Sequence, residues 1–83
     1  MTKPLPKWEM IKYAFLWVKF NTKEFINNQA SNVLNEKDNH LLSVLFYDLR
    51  RYGWLIVDRD KKDKRKKIYS LIEPNEAVKN MVK

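Results

Sequence analysis

Residues 39–57 have the sequence NHLLSVLFYDLRRYGWLIV, in which the hydrophobic period changes at the only glycine of the chain. Before Gly53 the apolar residues recur every three or four positions, which predicts an amphipathic helix over residues 39–52. After Gly53 a run of strand-forming residues predicts a β-strand. We therefore expect a helix with Asp38 or Asn39 as its N-cap, a left-handed glycine at its end, and a strand that follows at once.

The predicted helix over residues 39–52 has two distinct sides. At about 100° per residue, the apolar side holds Leu42, Leu45, Phe46, Leu49 and Tyr52. The opposite side is polar, basic and aromatic, with His40, Ser43, Tyr47, Arg50 and Arg51. Solvated helix faces usually carry Glu–Lys pairs, whereas this one has no Glu and exposes a tyrosine. The pattern favours a binding surface over a merely solvated face.

Residues 54–72 predict a β-hairpin with a long basic loop. Residues 50–67 contain nine basic and three acidic residues, which account for +6 of the net charge of +7 over 83 residues. Charge concentrated in this way indicates a polyanionic partner, either nucleic acid or an anionic membrane surface. The alternative is a solvated lysine loop that protects a strand edge from aggregation.

Residues 6–20 predict a first helix with Pro6 in its first turn. Its apolar residues share helical spacing and form one face, Trp8, Ile11, Phe15 and Val18, which Met10, Ala14, Trp17 and Phe20 widen. Glu9 and the lysines take the remaining surface. Because the polar side is narrow, we expect core packing plus a dimer interface rather than a helix lying on a membrane.

The remaining segments predict short elements. Phe25-Ile26 predicts a brief strand, and Asn27-Asn28 predicts the cap of a second helix over residues 28–34. Pro74 is expected to end the hairpin, and Asn75 to cap a terminal helix over residues 75–82.

Several function classes are excluded by composition. The chain has no Cys, so it has no disulfide or thiolate metal site, and its single His40 has no triad geometry with Ser43 or Asp48. We therefore expect no enzyme activity, no metal and no cofactor, and no small-molecule ligand is evident. The longest apolar run is far shorter than the roughly 20 residues of a membrane span. A cytoplasmic, nucleoid-associated protein without membrane contact is the expectation.

The order of elements resembles the winged helix-turn-helix fold: helix, short strand, helix, turn, helix, strand, basic loop, strand, helix. Ala30, Leu42, Phe46 and Leu49 carry the resemblance, together with the step Gly53-Trp54-Leu55-Ile56. Asp63-Lys64-Arg65, followed after five residues by Leu71, is similar to the wing signature of MarR-type transcription regulators. Those proteins are longer and usually have Thr where Ile72 stands. The resemblance covers residues 8–73.

The resemblance implies an α+β, mainly α, single domain over residues 1–83: a three-helix core, a hairpin wing and a short C-terminal helix. It implies a transcription regulator that binds double-stranded DNA, with helix 39–52 in the major groove and the wing on the backbone or minor groove. A homodimer through the first and C-terminal helices is expected, on a palindromic site. The alternatives are a protein-interaction module, the N-terminal DNA-binding module of a larger protein such as an antitoxin, and single-strand or RNA binding through Tyr47, Trp54 and Tyr69.

The residues expected to contact DNA belong to two elements. On the helix, Asn39 and His40 are assigned to base edges, Ser43 and Tyr47 to bases or sugar-phosphate, and Arg50 and Arg51 to phosphates. On the wing they are the basic residues Arg59, Lys61, Lys62, Lys64, Arg65, Lys66 and Lys67. The resemblance further implies that Arg65 is inserted into the minor groove and oriented by a salt bridge to Asp63.

Overall fold

The computed structural model describes residues 2–63 and 65–82. It is a small, mainly helical α+β fold with four helices and a two-stranded antiparallel hairpin in this part of the chain. The helices and strands are α1 Lys7–Phe20, α2 Asn27–Leu34, α3 Asn39–Arg51, β1 Leu55–Arg59, β2 Lys67–Leu71 and α4 Pro74–Met81. The hairpin register runs from Leu55 opposite Leu71 to Arg59 opposite Lys67.

The expected apolar face of α1 is not the face that enters the core. The buried residues of this helix are Glu9, Tyr13, Leu16 and Phe20, whereas the expected core residues Trp8, Ile11, Phe15 and Val18 are exposed. Glu9, assigned to the polar side from the sequence, is fully buried. Because α1 is apolar on both sides, its period does not distinguish them. The long-range contacts of Tyr13 identify the side that is buried. Its hydroxyl donates to the Ile72 carbonyl at 2.6 Å, and its ring meets that of Trp54 edge-on.

The step from α3 to β1 has the geometry that residues 39–57 predict. Asp38 caps α3, with Oδ1 accepting the N–H groups of His40 and Leu41 at 2.9 and 3.4 Å. At the other end the Trp54 N–H donates to the Leu49 carbonyl at 2.8 Å, and Gly53 has a φ of +86°. That left-handed conformation suits glycine because it has no Cβ.

The N-terminal segment packs over this same step. The Lys3 N–H donates to the Tyr52 carbonyl at 2.9 Å, and the Trp54 indole N–H donates to the Lys3 carbonyl at 2.7 Å. Thr2 is buried against Gly53, where an added Cβ would lie only 2.9 Å from the Thr2 hydroxyl. Gly53 is therefore required both for its backbone conformation and for this close approach.

An aromatic cluster fixes the hairpin to the helices. Phe25 forms an isolated antiparallel bridge with Tyr69, with both N–H···O distances at 2.8 Å, where the sequence predicts a brief strand. The Phe25 ring stacks on Phe20 of α1 at 4.5 Å, and Tyr69 stacks on Phe46 of α3 at 4.6 Å. Because these rings come from the hairpin, the connector and both helices, the position of β2 relative to α3 is set by packing.

Two helices begin differently from the sequence expectation. Asn27 is the first residue of α2, and the N-cap position belongs to Ile26, whose N–H donates to Gln29 Oε1 at 3.0 Å. The terminal helix begins at Pro74 rather than after Asn75, because proline is pre-organised for a first helical position and lacks only an N–H that would be unpaired there. The predicted asparagine caps are therefore wrong. No helix in residues 2–63 and 65–82 combines the length and hydropathy needed to cross a membrane.

Candidate nucleic-acid interface

The outward side of α3 presents the polar residues predicted for it. Ser43, Tyr47 and Arg50 are exposed, and 63% of the Tyr47 surface is accessible. Leu45 and Leu49 on the opposite side are buried in the core. Since the buried side is held by packing, the exposed side chains project from a rigid helix, and this rigidity favours specific contacts.

A cleft of about 240 Å³ lies between this side of α3 and the hairpin. Arg50 from α3 and Lys67 from β2 supply cations from two different elements. The other described residues that line the cleft include no acid; they are Asn27, Ser43, Phe46, Tyr47, Val57 and Tyr69. A cavity lined by an arginine, a lysine, a serine and an asparagine is suited to the oxygens of a phosphate.

Tyr69 contributes a neutral group to the wall of this cleft. Its burial raises the pKa of the phenol above its ordinary value, and the Asn27 side chain offsets that rise only in part. The phenol therefore stays uncharged at neutral pH, so it adds no anion to oppose a bound phosphate.

A second cleft of about 190 Å³ continues from the first around the start of α2. The two clefts share Asn27 and Lys67, and the second also includes Ile26, Asn28 and Lys66. A helix N-terminus carries a partial positive charge, so this wall adds to the field of the lysines. The sequence pattern predicts only a cap at Asn27-Asn28 and so missed both as interface candidates. One sequence feature could have identified them as interface candidates. Asn27 and Asn28 are two amide side chains at the start of a helix, close in sequence to Phe25, which pairs with the hairpin.

The acidic residues Asp60 and Asp63 of the hairpin loop stabilise its turns by accepting backbone N–H groups. Asp60 Oδ1 accepts the Lys62 N–H at 2.8 Å, and Asp63 Oδ1 accepts the Arg65 N–H at 3.0 Å. Such side-chain to backbone bonds shape turns. The Asp63 carboxylate also lies 3.7 Å from Arg65 Nε, with 95% of the Arg65 side chain exposed. An ion pair this exposed adds little stability and leaves the guanidinium accessible.

The remaining predicted contacts lie outside the first cleft. Arg59, Lys61, Lys62, Arg65 and Lys66 are exposed along the hairpin, and Lys64 lies outside the described residues. Asn39 and His40 are exposed at the start of α3 and line neither cleft. The guanidinium of Arg51 lies 5.9 Å from the centre of its neighbour's ring, Tyr52. The structure thus brings together Ser43, Tyr47, Arg50 and Lys67, and separates Arg51 from them.

Comparison with known proteins was made at three levels. A scan against protein-family models, a search of curated proteins and a search of solved structures each found no match to the chain. Within residues 2–63 and 65–82 there is also no group of three His, Asp or Glu side chains placed to hold a metal ion. Function is therefore inferred from the geometry of the two clefts and from the charge around them.

Proposed function

We propose that the protein is a winged-helix protein that binds double-stranded DNA in a sequence-specific way and acts as a transcription regulator. In this proposal α3 enters the major groove and presents Ser43 and Tyr47 to the bases. The basic loop between β1 and β2 follows the flanking backbone or enters the minor groove. The cleft between α3 and the hairpin receives a backbone phosphate between Arg50 and Lys67.

The observation that carries this proposal is the shared cleft. Arg50 and Lys67 are 17 positions apart in the sequence, yet both line one cavity with no acidic neighbour among its described lining residues. A solvated lysine loop would not require a basic partner on α3. Two cations supplied by two packed elements border one cavity, and such a pair suits the cavity to an anion.

The order of elements adds support. Three helices are followed by a hairpin, and the Phe25 bridge adds a short third segment beside β2. This order resembles that of winged helix-turn-helix domains. The N-terminal DNA-binding module of a larger protein, such as an antitoxin, would use the same surface.

The competing functions have less support. Stacking on single strands needs exposed aromatic rings, yet only 2% of Trp54 and 7% of Tyr69 is accessible, which leaves Tyr47. The protein-interaction module is favoured by one observation, the exposed apolar residues of α1. That surface is on a different element from the basic cleft, so the two functions are compatible.

A binding titration tests the proposal. Fluorescence anisotropy would compare duplex DNA, single-stranded DNA and RNA at about 50 and about 200 mM salt, where each neutralised phosphate steepens the salt dependence. We expect the duplex to bind most tightly and its affinity to fall at least about tenfold between the two salt concentrations.

A matched pair of variants separates the cleft from overall charge. Arg50→Ala/Lys67→Ala removes both cleft cations, whereas Lys19→Ala/Lys79→Ala removes two charges from α1 and α4. The cleft variant should lose most duplex affinity and the control variant little. Equal losses, or tighter binding of single strands than of duplex by the parent, would contradict the proposal.

A further inference from the structure

Helix α1 has a second apolar face that the described fold leaves uncovered. Trp8, Ile11, Phe15 and Val18 expose 43, 47, 57 and 79% of their surfaces. We call these four residues the α1 stripe. Their spacing of three, four and three residues is that of the a and d positions of a coiled coil, which places them in one straight seam along the helix.

The α1 stripe has the surface shape of a helix-packing interface. Ile11, Ala14, Phe15 and Val18 surround a depression of about 240 Å³. Positions i, i+3, i+4 and i+7 of a helix are the four that form the hole for one side chain of a facing helix. Ala14 makes this hole deep because its side chain is a single methyl group.

The stripe continues beyond α1 at its Trp8 end. A pocket of about 110 Å³ lies between Trp8 and Leu41. Its other lining residues are Leu34, Leu42 and Leu45 and the charged residues Lys12 and Glu36. Leu41 itself is 41% exposed. Together the stripe and Leu41 offer on the order of 500 Å² of apolar surface, as large as the functional patches found on monomers.

We propose that a second copy of this chain covers the α1 stripe, with the two α1 helices antiparallel about a two-fold axis. Two such patches bury on the order of 1,000 Å² in total, which is the lower bound for a specific interface. The area therefore predicts a weak, reversible dimer rather than an obligate one. A symmetric contact of this kind needs a surface that complements itself.

The side-chain sizes along the stripe satisfy that condition in one register. With the axis level with position 13, Ile11 of each copy enters the hole beside Ala14 of the other. Phe15 then lies opposite Ile11 of the second copy, and Trp8 opposite Val18. Each aromatic ring thus faces a smaller aliphatic side chain, which fills the interface without two large rings meeting.

The charges beside the stripe predict an unusual salt dependence. Lys12 and Lys19 lie along one edge and Lys7 along the other, and Lys7 and Lys19 are exposed. In the antiparallel register the two copies of Lys12 lie close to each other across the axis. Salt screens this repulsion, so salt should strengthen the dimer while it weakens DNA binding.

Sedimentation equilibrium of the full chain tests the association. We expect a mass that rises with protein concentration from 10.1 kDa toward twice that value. The dimer dissociation constant should fall at least about threefold between 0.1 and 1 M NaCl, as the Debye length shortens from about 10 to about 3 Å. Phe15→Glu should abolish the dimer, whereas Ile56→Glu, at a residue 53% exposed on β1, should leave it unchanged.

Cysteine cross-linking tests the register, because the chain has no natural cysteine. Ala14→Cys lies near the proposed axis and should form a disulfide with itself under mild oxidation. Lys7→Cys should link neither to itself nor to Lys19→Cys, which lies on the other edge of the seam. Trp8→Cys should link to Val18→Cys when those two variants are mixed, because the two positions lie opposite each other in this register. Circular dichroism of each variant verifies that it is folded.

Two results would overturn the proposal. A mass of 10.1 kDa at every concentration and salt level would remove the second copy and leave the stripe for an acidic amphipathic partner. A dimer that persists in Phe15→Glu, or that cross-links through Lys7→Cys alone, would exclude the antiparallel contact. Val78→Glu tests whether the C-terminal helix also contributes to the dimer, because Val78 is 53% exposed on α4. A weaker dimer in this variant would show that it does.

Discussion

The carboxyl group of Glu9 on α1 is fully buried beside the half-buried carboxyl of Asp48 on α3. Neither oxygen of Glu9 has a hydrogen-bond partner within bonding geometry in the part of the chain that the structure describes. Burial, and then the neighbouring Asp48 carboxylate, raise the pKa of Glu9 from 4.5 to about 7. A proton on Glu9 is therefore part of the folded state at acidic and near-neutral pH.

This relationship predicts that stability decreases as pH rises. The folded-state pKa of Glu9 is above its unfolded value, so its contribution is fully present below about pH 4.5 and is lost as pH rises through about 7. Between about pH 5 and about pH 8 the free energy of unfolding should fall by up to about 3 kcal/mol, at about 1.4 kcal/mol per pKa unit. Urea unfolding across this range measures the decline.

Glu9→Gln is the matching variant because an amide resembles a protonated carboxyl. It should flatten the decline and be more stable than the parent at about pH 8. Glu24→Gln, at an exposed residue, should keep the parent's profile. An unchanged decline in Glu9→Gln would show that another group is responsible.

Gly53→Ala should lower the free energy of unfolding by more than about 1 kcal/mol, because alanine is strained at a φ of +86° and its Cβ meets Thr2. Thermal and urea unfolding measure the loss. Adding Thr2→Ala to this variant should recover only the part due to the Thr2 hydroxyl, because Thr2 Cα would still lie 3.1 Å from the added Cβ. A Gly53→Ala variant as stable as the parent would contradict both reasons given for the glycine.

Tyr13→Phe should cost about 1 kcal/mol of stability, since it removes the 2.6 Å bond to the Ile72 carbonyl without changing the ring. Burial, and then the charge of Glu73, raise the pKa of Tyr13 to about 12, so the hydroxyl remains a donor at neutral pH. Tyr47→Phe is the control, because that ring is exposed. Equal unfolding midpoints for parent and Tyr13→Phe would mean that this hydrogen bond makes no net contribution to the free energy of unfolding.

On the hairpin, Arg65→Ala should weaken binding to all duplex sequences by a similar factor and reduce the slope of log affinity against log salt by about one. The reason is that an exposed guanidinium at the loop neutralises a phosphate without reading bases. Lys64→Ala is predicted to act in the same way. Anisotropy titrations at several salt concentrations give the slope, and a variant that changes sequence preference alone would contradict this role.

On α3, Tyr47→Ala or Ser43→Ala should change the preference among duplex sequences by about 1–3 kcal/mol for each base that the variant no longer reads. Competition titrations with single-base variants of a selected site measure this change. If both α3 variants weakened every duplex equally, as expected for Arg65→Ala, the two elements would not have separate roles.

The part of the fold that local interactions specify could be predicted from the sequence. The cap at Asp38, one of two candidates, the two sides of α3 and the left-handed Gly53 depend on residues within a few positions of one another. The hairpin pairs residues 8 to 16 positions apart, and its two strands carry their own local patterns. The exposure of Ser43, Tyr47 and Arg50 followed from the same helical period. Boundaries at Asn27 and Pro74 were displaced because several neighbouring residue types compete for a cap.

The composition of the cleft could be predicted only in part. Arg50 and Lys67 were candidates, but only packing shows that they share a cavity and that Arg51 turns to Tyr52. Asn27 enters the cleft because the Phe25–Tyr69 bridge brings the start of α2 beside β2. No local pattern reports a contact between positions more than 40 residues apart.

Sequence alone determined the helix–glycine–strand step and the location of nearly all the net charge, since both depend on residue type and short-range geometry. Only the tertiary structure decided which of two apolar faces of α1 is buried. The period of that helix fits either choice, and the decision depends on the bond from Tyr13 to Ile72 and the contact of Tyr13 with Trp54. The same choice buries Glu9 beside Asp48 and leaves the α1 stripe exposed.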